Sequence, residues 1–341
     1  MPNNSTKILL LTTLTSGILI SISSNSWFGA WMGLEINLLS FIPMMMEKKN
    51  IYTTEASLKY FIVQAGASSM LLFMVMMSAM EESMLINSDN LYTQMLMNTP
   101  LLLKGGVAPM HWWFPGVMEG LNWNNCLILM TLQKSAPLSL ISYQINNDMF
   151  LEMIIVTSVM IGAIGGLNQT SLRKIMTYSS INHTGWMMSA MITGNDMWVT
   201  YFTIYSMLTL TVVSIVKTTK LSFVNQMAMT EKKNKLTKFL VFTSILSLGG
   251  LPPFLGFMPK WMVIQAMMTN EMKTTATMMV LMSVVTLYYY MRMTYSSLMM
   301  LHLETKWLIA QPINKTPKHI ILLTSISITG LMMSEMIMNL D

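Results

Sequence analysis

Residues 101–115 read LLLKGGVAPMHWWFP, and residues 246–261 read LSLGGLPPFLGFMPKW. Both strings carry the pattern Gly-Gly-x-x-Pro-x-x-x-x-x-Pro inside an apolar run. Proline lacks the N–H that a helix needs and collides with the preceding turn, so both strings predict interrupted helices. The predicted helix breaks are Gly105, Gly106, Pro109, Gly249, Gly250, Pro252 and Pro253, with Pro137 as a third candidate position.

The composition of the chain indicates that lipid is its solvent. Of 341 residues, 53% are hydrophobic and only 10% are charged, whereas a soluble domain carries roughly 25% charged residues. The mean hydropathy is +0.51. The net charge is +5, but the basic residues stand singly or in short loop clusters, which is typical of membrane topology and not of nucleic-acid binding.

Apolar stretches of roughly 20 residues predict about eleven membrane spans in a single membrane domain, 1–341. The first begins directly after a short amino terminus that does not resemble an Arg-rich transit peptide. The basic stretch 217–238 should face the negative compartment. The predicted spans are 6–23, 26–46, 56–80, 92–114, 122–143, 149–168, 172–193, 196–216, 237–258, 274–297 and 318–339.

The two glycine–proline strings indicate an internal repeat with an offset of 144 residues (249 minus 105). About five spans separate equivalent positions, and an odd number of spans inverts the second copy, as in many transporters. The interpretation is repeat one at 5–145, repeat two at 149–297 and a carboxy-terminal helix at 318–339. The alternative is chance, because glycine and proline are common in membrane helices.

Broken helices matter because backbone groups freed in lipid must be satisfied by protein or by water in a cavity. Paired breaks in two halves of a repeat therefore point to an ion site. Ionisable residues within spans cost about 2.5–3.5 kcal/mol on insertion scales, so they favour a functional role. The candidates for proton translocation are Glu35, Lys104, Lys134, His183 and Lys260, with Lys59 nearer a helix end.

Each candidate has a structural alternative. Glu35 has no cation near it in sequence, and a structural ion pair is its alternative. Lys104 precedes the first break, Lys134 lies midway along its span, and Lys260 follows Pro259 at the end of the second broken helix. Their alternative is snorkelling to an interface, which the central position of Lys134 disfavours most.

His183 lies in SSINHTGW, among hydroxyl and amide side chains, and is either a packed histidine or a relay member. Cys126 is the single cysteine, so an iron–sulfur cluster with about four ligands is not expected. The four histidines are too far apart in sequence to suggest a haem or zinc site. The chain is expected to bind no cofactor and no metal.

A desolvated lysine disfavours its charged form, and a nearby carboxylate favours it again. Movement of Glu35 relative to Lys104 would therefore change which sites hold protons. The hypothesis is that Lys134 receives a proton from Lys104 through water and that Lys260 passes it to the far side. Moving one charge across 100 mV costs about 2.3 kcal/mol, which opening one ion pair can supply.

The chain resembles the antiporter-like membrane subunits of respiratory complex I, the mitochondrial NADH–ubiquinone oxidoreductase. The resemblance covers about three quarters of the chain, and residues after Leu303 carry little of it. It rests on WMGLEINLLSFIP (31–43), EASLKYFIVQA (55–65), LLLKGGVAPMHWWFP (101–115), LQKSAPL (132–138), GAIGGLNQTSLRKIMTYSSINHTGW (162–186) and LSLGGLPPFLGFMPKW (246–261).

This resemblance implies two inverted five-helix bundles, in a form shortened by about three helices at the amino terminus. The family's functional glutamate falls on Glu35, its lysines on Lys104, Lys134 and Lys260, and its histidine on His183. Met110 stands where relatives usually have Phe, an apolar exchange.

The resemblance also implies a place in the proton-pumping arm of an H⁺-translocating NADH:ubiquinone reductase of the mitochondrial inner membrane. NADH, FMN, iron–sulfur clusters and ubiquinone would be handled by other subunits. The implied partners are chain 4, chain 4L, accessory subunits and membrane lipids, with no nucleic acid, and the chain would be encoded and translated in the organelle. Two alternatives stay open: a stand-alone cation/proton antiporter, and a structural subunit whose proton path has decayed.

Overall fold

The computed structural model describes residues 4–47, 50–83, 91–145, 149–229, 235–299 and 318–338. Within these ranges the regular structure is α-helical, with an isolated bridge between Ser171 and Phe223, and turns join the helices. The predicted all-α membrane bundle is confirmed. The helices are α1 Asn4–Ser23, α2 Trp27–Met45, α3 Ile51–Ser83, α4 Leu91–Gly105, α5 Trp113–Gly120, α6 Trp123–Met130, α7 Leu132–Ser142, α8 Met149–Leu167, α9 Leu172–Thr193, α10 Asn195–Thr219, α11 Val224–Met229, α12 Lys235–Gly249, α13 Phe257–Thr269, α14 Lys273–Met299 and α15 Lys318–Met338.

The surface of these helices is apolar and their interior is partly polar. Long apolar side chains are widely exposed, as expected for helices that face lipid; they include Leu19 (66%), Ile62 (68%) and Met153 (72%). Six described helices are long and apolar enough to cross a membrane, at 5–23, 27–45, 51–80, 149–167, 196–219 and 273–295. The chain is a multi-pass membrane protein.

Three predicted spans are not continuous helices. The span predicted at 92–114 is helical only to Gly105, and α5 follows as a separate short helix; the span at 122–143 divides into α6 and α7. The span at 237–258 ends at Gly249, and α13 occupies 257–269, which is mostly outside every predicted span. Averaging over about 20 residues misses such breaks, because glycine and proline are uncharged and do not interrupt an apolar window.

The chain forms two compact units, Met1–Ile154 and Ile155–Asp341. The predicted repeat boundary, between 145 and 149, lies close to this division, while the inverted relation of the repeats stays a prediction. The orientation of the basic stretch 217–238 also stays a prediction, and residues 230–234 of that stretch lie outside the described ranges, as does residue 339 of the predicted last helix.

Glycine allows close helix packing in each unit. In unit 1, a Cβ on Gly33 of α2 would lie 2.6 Å from the backbone nitrogen of Ser21 in α1. In unit 2, a Cβ on Gly162 of α8 would lie 2.6 Å from the backbone nitrogen of Asn182 in α9. Backbones that approach this closely are typical of small-residue packing between membrane helices. The contacts hold α2 and α9, which carry Glu35 and His183, against their neighbours.

Candidate functional site

The first break is a glycine-terminated helix end. Gly106 follows the last residue of α4 with φ +66°, a left-handed conformation that favours glycine. Its N–H donates to the carbonyl of Leu103 at 3.2 Å, and the N–H of Val107 donates to the carbonyl of Leu102 at 3.1 Å. These two bonds form a Schellman motif, so the sequence specifies where α4 ends.

The second break repeats this geometry 144 residues later. Gly250 has φ +79° and donates its N–H to the carbonyl of Ser247 at 3.1 Å, as Gly106 does to Leu103. Gly105 and Gly249 are the last residues of α4 and α12. The equivalent positions in the two glycine–proline strings therefore take the same conformation, and the repeat itself stays a prediction.

The proline positions differ in what they do. Pro109 lies in the turn after α4, and Pro252 and Pro253 lie in the turn after α12. Pro137 lies inside α7, so the structure corrects the predicted break there. The interruption of that span is at Thr131, which separates α6 from α7. Pro137 removes the N–H that would bond the carbonyl of Gln133, and the helix ladder is interrupted shortly before that turn.

Freed carbonyl groups at the first break are satisfied by side chains. The Nε2 of Gln64 in α3 donates to the carbonyl of Lys104 at 3.2 Å, and the Nε1 of Trp113 donates to the carbonyl of Leu103 at 3.1 Å. Because a buried carbonyl without a partner is costly in lipid, these two side chains stabilise the broken end of α4.

Lys104 is buried at this broken end, with 7% of its surface exposed. Its Nζ makes no hydrogen bond with any residue in the described ranges. The half-buried Glu35 of α2 attracts it electrostatically. The structure thus identifies Lys104 as a cation that the Glu35 carboxylate attracts, without a direct ion pair between the two, and both residues belong to unit 1.

Lys134 is more deeply buried, at 2% exposure, near the start of α7. Its Nζ lies 4.7 Å from the centroid of the Phe114 ring, a cation–π distance. The side-chain amide of the adjacent Gln133 is hydrogen-bonded to α2 and α3. Its Nε2 donates to Asn37 Oδ1 at 2.8 Å, and the Tyr60 hydroxyl donates to its Oε1 at 3.2 Å. This network fixes the start of α7 beside Lys134.

Lys260 is buried at 6% exposure in the first turn of α13. The sequence predicted Lys260 at the end of the second broken helix, with snorkelling to an interface as the alternative. Lys260 lies instead after the break, on a separate helix, α13. Its Nζ donates to the carbonyl of Gly249 at 2.8 Å and lies 5.9 Å from the Trp186 ring. A cation at the carboxyl end of α12 is stabilised by the helix dipole.

His183 is 5% exposed on α9. Its Nδ1 and the hydroxyl of Tyr201 on α10 are hydrogen-bonded at 2.9 Å, and the Tyr205 ring lies 5.0 Å from the imidazole ring. The phenol fixes the orientation of the imidazole, and a hydrogen-bonded histidine–tyrosine pair is chemically able to exchange protons.

Lys59, in contrast, is an exposed residue of α3. Its Nζ lies 2.6 Å from Glu55 Oε1, one helical turn away, and about half of each side chain is exposed. An exposed pair of this kind contributes little to stability. Lys59 is therefore a surface residue and does not share the buried environment of Lys104, Lys134 and Lys260.

Sequence reasoning missed the uncharged members of the site: Asn37, Tyr60, Gln64, Trp113 and Gln133. Asn37, Gln64 and Gln133 could have been predicted as buried contacts, because polar side chains inside apolar spans usually pack against protein. Within the described residues, no three His, Cys, Asp or Glu side chains lie together as a metal site; the expectation of no bound cofactor stays a prediction.

Replacing Gln64 with leucine should destabilise the first break. The carbonyl of Lys104 would lose its partner in a buried position, which costs about 1–3 kcal/mol. Ser69→Ala is the matched control, since Ser69 is exposed on the same helix and its hydroxyl donates to the carbonyl of Gly66 in that helix at 2.9 Å. Thermal unfolding of the detergent-solubilised protein measures the effect, and equal stability of the two variants would disprove the capping role.

The all-helical membrane fold, with buried lysines beside two equivalent breaks, defines an antiporter-like membrane protein. A family profile described as the transmembrane region of the NADH:quinone oxidoreductase/Mrp antiporter proteins matches residues 24–286. NADH-ubiquinone oxidoreductase chain 2 of Anopheles gambiae is 49% identical over 331 residues, which cover 96% of this chain and 97% of that protein. The chain belongs to the NADH-ubiquinone oxidoreductase chain 2 family.

Solved structures share the fold. A chain of respiratory complex I from Thermus thermophilus with bound aureothin matches with a TM-score of 0.79 at 20% identity, covering 97% of this chain and 79% of that chain. A chain of the Mrp complex from Dietzia sp. matches with a TM-score of 0.71 at 18% identity, covering 83% of this chain and 59% of that one. At these identities the likeness concerns the fold alone.

Proposed function

We propose that the chain is a core membrane-arm subunit of H⁺-translocating NADH:ubiquinone oxidoreductase and contributes to proton translocation across the mitochondrial inner membrane. The observation that carries the proposal is the burial of Lys104, Lys134 and Lys260 in a membrane protein, two of them at the helix breaks. Family membership supports the assignment to the oxidoreductase and favours it over a stand-alone antiporter.

In unit 1, Glu35 controls the charge of Lys104. Attraction to the carboxylate favours the protonated lysine, and separation from it favours release of the proton. Moving one charge across 100 mV needs roughly 2.3 kcal/mol, so a change of this size in the attraction would drive the step. In this proposal, displacement of α2 relative to α4 changes the protonation of Lys104.

The buried Lys134 then accepts the proton through water. Its ammonium lies 4.7 Å from the centroid of the Phe114 ring, a cation–π contact worth on the order of 1–2 kcal/mol to the charged form. In unit 2, Lys260 and His183 take the proton onward. The carbonyl of Gly249 stabilises Lys260 while it is charged, and the His183–Tyr201 hydrogen bond supplies a group that both accepts and donates.

Electron transfer from NADH to ubiquinone is proposed to take place in other subunits, together with the NADH, FMN, iron–sulfur and ubiquinone chemistry. The proposed neighbours are chain 4, chain 4L, accessory subunits and lipids. The apolar surface of the helices is suited to packing against such partners within a membrane, and translation inside the organelle fits so hydrophobic a chain.

Gentle solubilisation of the membranes and separation of complexes on a native gel test this proposal. We expect the chain to migrate in a very large complex together with NADH dehydrogenase activity. Migration as a small complex without that activity would contradict the assignment and favour an independent antiporter. Cation-dependent proton flux would then be the next measurement.

A further inference from the structure

The carboxy-terminal helix α15 lies against the second helix break. It lies outside both predicted repeats, and within unit 2 it packs against α10, α12 and α13. Near its start, Ile320 is 2% exposed in an apolar cluster with Ile215 of α10 and Leu240 of α12. This cluster fixes one end of α15 to α12, the helix that leads into the break.

A hydrogen bond joins the turn of the break to the middle of α15. The backbone N–H of Leu255, in the turn between α12 and α13, donates to the carbonyl of Ser327 at 3.0 Å. A backbone carbonyl has two lone pairs, so a carbonyl inside a helix can accept this bond in addition to one from its own helix. Ser327 is 2% exposed. The bond is therefore buried, where a polar group that loses its partner is costly.

Gly330 allows α15 to approach the turn this closely. It lies on the same face of α15 as Ser327, three residues later. A Cβ on Gly330 would lie 2.0 Å from Cδ1, 3.0 Å from Cγ and 3.2 Å from Cβ of Leu255. A change of rotamer at Leu255 moves its Cδ1 but not its Cβ. An alanine at 330 would therefore also press on the Leu255 backbone and weaken the bond to Ser327.

Leu255 connects α15 to Lys260. The carbonyl of Leu255 accepts the N–H of Met258, in the first turn of α13, at 3.2 Å. The next residue, Gly256, packs so closely on α12 that an added Cβ would lie 1.8 Å from the carbonyl oxygen of Ser247. Lys260 lies in the same first turn of α13. The position of Leu255 therefore determines where this turn and the Lys260 side chain lie relative to the end of α12.

The two breaks differ in how they are supported. At the first break, the side chains of Gln64 and Trp113 donate to carbonyl groups at the end of α4. The positions 144 residues later are Leu208 and Phe257, and neither of these side chains can donate a hydrogen bond. Leu208 instead packs on the turn, with its Cδ1 3.2 Å from a Cβ added to Gly256. The second break is bonded to a helix from outside the repeats.

We infer that α15 positions Lys260 by holding the turn of the second break in place through Leu255. Ser327 and Gly330 are then positioning residues: neither takes a proton, and each acts through Leu255. Their effect on proton transfer rests on the proposed function, in which Lys260 passes protons onward. The inference makes α15 necessary for the geometry of the second break and not for that of the first.

Hydrogen–deuterium exchange of the intact complex tests the positioning, because exchange of a backbone amide reports local opening of its hydrogen bond. We expect Gly330→Ala to speed exchange in the turn 250–257 about five- to tenfold, as for the loss of one hydrogen bond. Exchange in the turn 106–112 of the first break should not change. Alanine is a better helix former than glycine, so faster exchange in the turn would not arise from a weaker α15.

Ser325→Thr is the matched control for the exchange measurement. It also adds one carbon atom to α15, but at an exposed position, and should leave exchange in the turn 250–257 as it is in the wild type. Unchanged exchange in that turn in Gly330→Ala would overturn the inference, whatever the complex pumps. An equal increase in Ser325→Thr would overturn it as well.

A second substitution tests whether the contact acts on proton transfer. Gly330→Ala should lower the translocation rate per assembled complex about five- to tenfold, whereas a purely structural role would lower only the amount of complex. Adding Leu255→Ala should restore most of the rate, since it removes the two atoms that collide most closely and keeps the N–H that donates to Ser327. If Gly330→Ala prevents assembly, the same recovery is expected in assembly. No recovery by Leu255→Ala would overturn the inference.

The two readouts separate this inference from the proposed function. Faster exchange in the turn 250–257 of a complex whose buried lysines prove dispensable for pumping would support the positioning by α15 and reject the proposed function. Lysine-dependent pumping with unchanged exchange in Gly330→Ala would reject the positioning alone.

Discussion

Lys134→Met should leave the protein folded and assembled but stop proton translocation through this chain. Methionine has a similar length and is apolar, so it removes a buried charge that costs about 2.5–3.5 kcal/mol at the centre of a membrane helix. The substitution removes the contact of the ammonium group with the Phe114 ring at 4.7 Å. Positioned proton donors and acceptors typically contribute about 10²- to 10⁴-fold, so the expected fall in translocation through this chain is about 100-fold or more.

Lys134→Arg separates the two roles of this charge. Arginine keeps a cation that can stack on Phe114, but it is not deprotonated in proteins. We expect the arginine variant to assemble and to fail in translocation, like the methionine variant. Dye-detected acidification of proteoliposomes, with native gels as the check on assembly, makes the measurement. If arginine restored translocation, Lys134 would act as a fixed charge and not as a proton carrier.

Gly256→Ala should have the largest effect on folding. Gly256 caps the start of α13, and a Cβ there would lie 1.8 Å from the backbone oxygen of Ser247 in α12. No side-chain movement relieves a collision with backbone, so α12 and α13 would separate. Lys260 would then lose its bond to the carbonyl of Gly249. We expect loss of the assembled protein on native gels.

Gly116→Ala is the matched control for this change. Gly116 lies in α5, and nothing lies within 4 Å of its added Cβ. Alanine there should be neutral or stabilise the protein by up to about 1 kcal/mol, the difference in helix propensity. Normal assembly of Gly256→Ala would show that the contact between α12 and α13 is looser than the structure indicates.

The positions of the two breaks were predictable from sequence because they depend on local backbone chemistry. Gly106 and Gly250 take left-handed conformations that favour glycine, and proline cannot continue the helix. The buried lysines were predictable because a charged side chain within an apolar membrane span must face other protein groups or a water-filled cavity.

Other features depend on contacts between segments distant in sequence. Nothing near Lys104 identifies Gln64, 40 residues earlier, as the donor to its carbonyl. The placement of Lys260 after the break was missed because Pro259, which seemed to end the helix, lies near the start of α13, where proline is tolerated. The pairing of His183 with Tyr201 was missed because tyrosine in an apolar span is ordinary until its neighbours are known.

The proton translocation rate of the assembled complex carrying Lys104→Met, Lys134→Met and Lys260→Met together tests the central claim most directly. The three substitutions remove every buried lysine ammonium in the described residues while keeping side-chain length. The account predicts a complex that assembles on native gels and translocates protons far more slowly than wild type. Translocation at the wild-type rate by that assembled complex would contradict it.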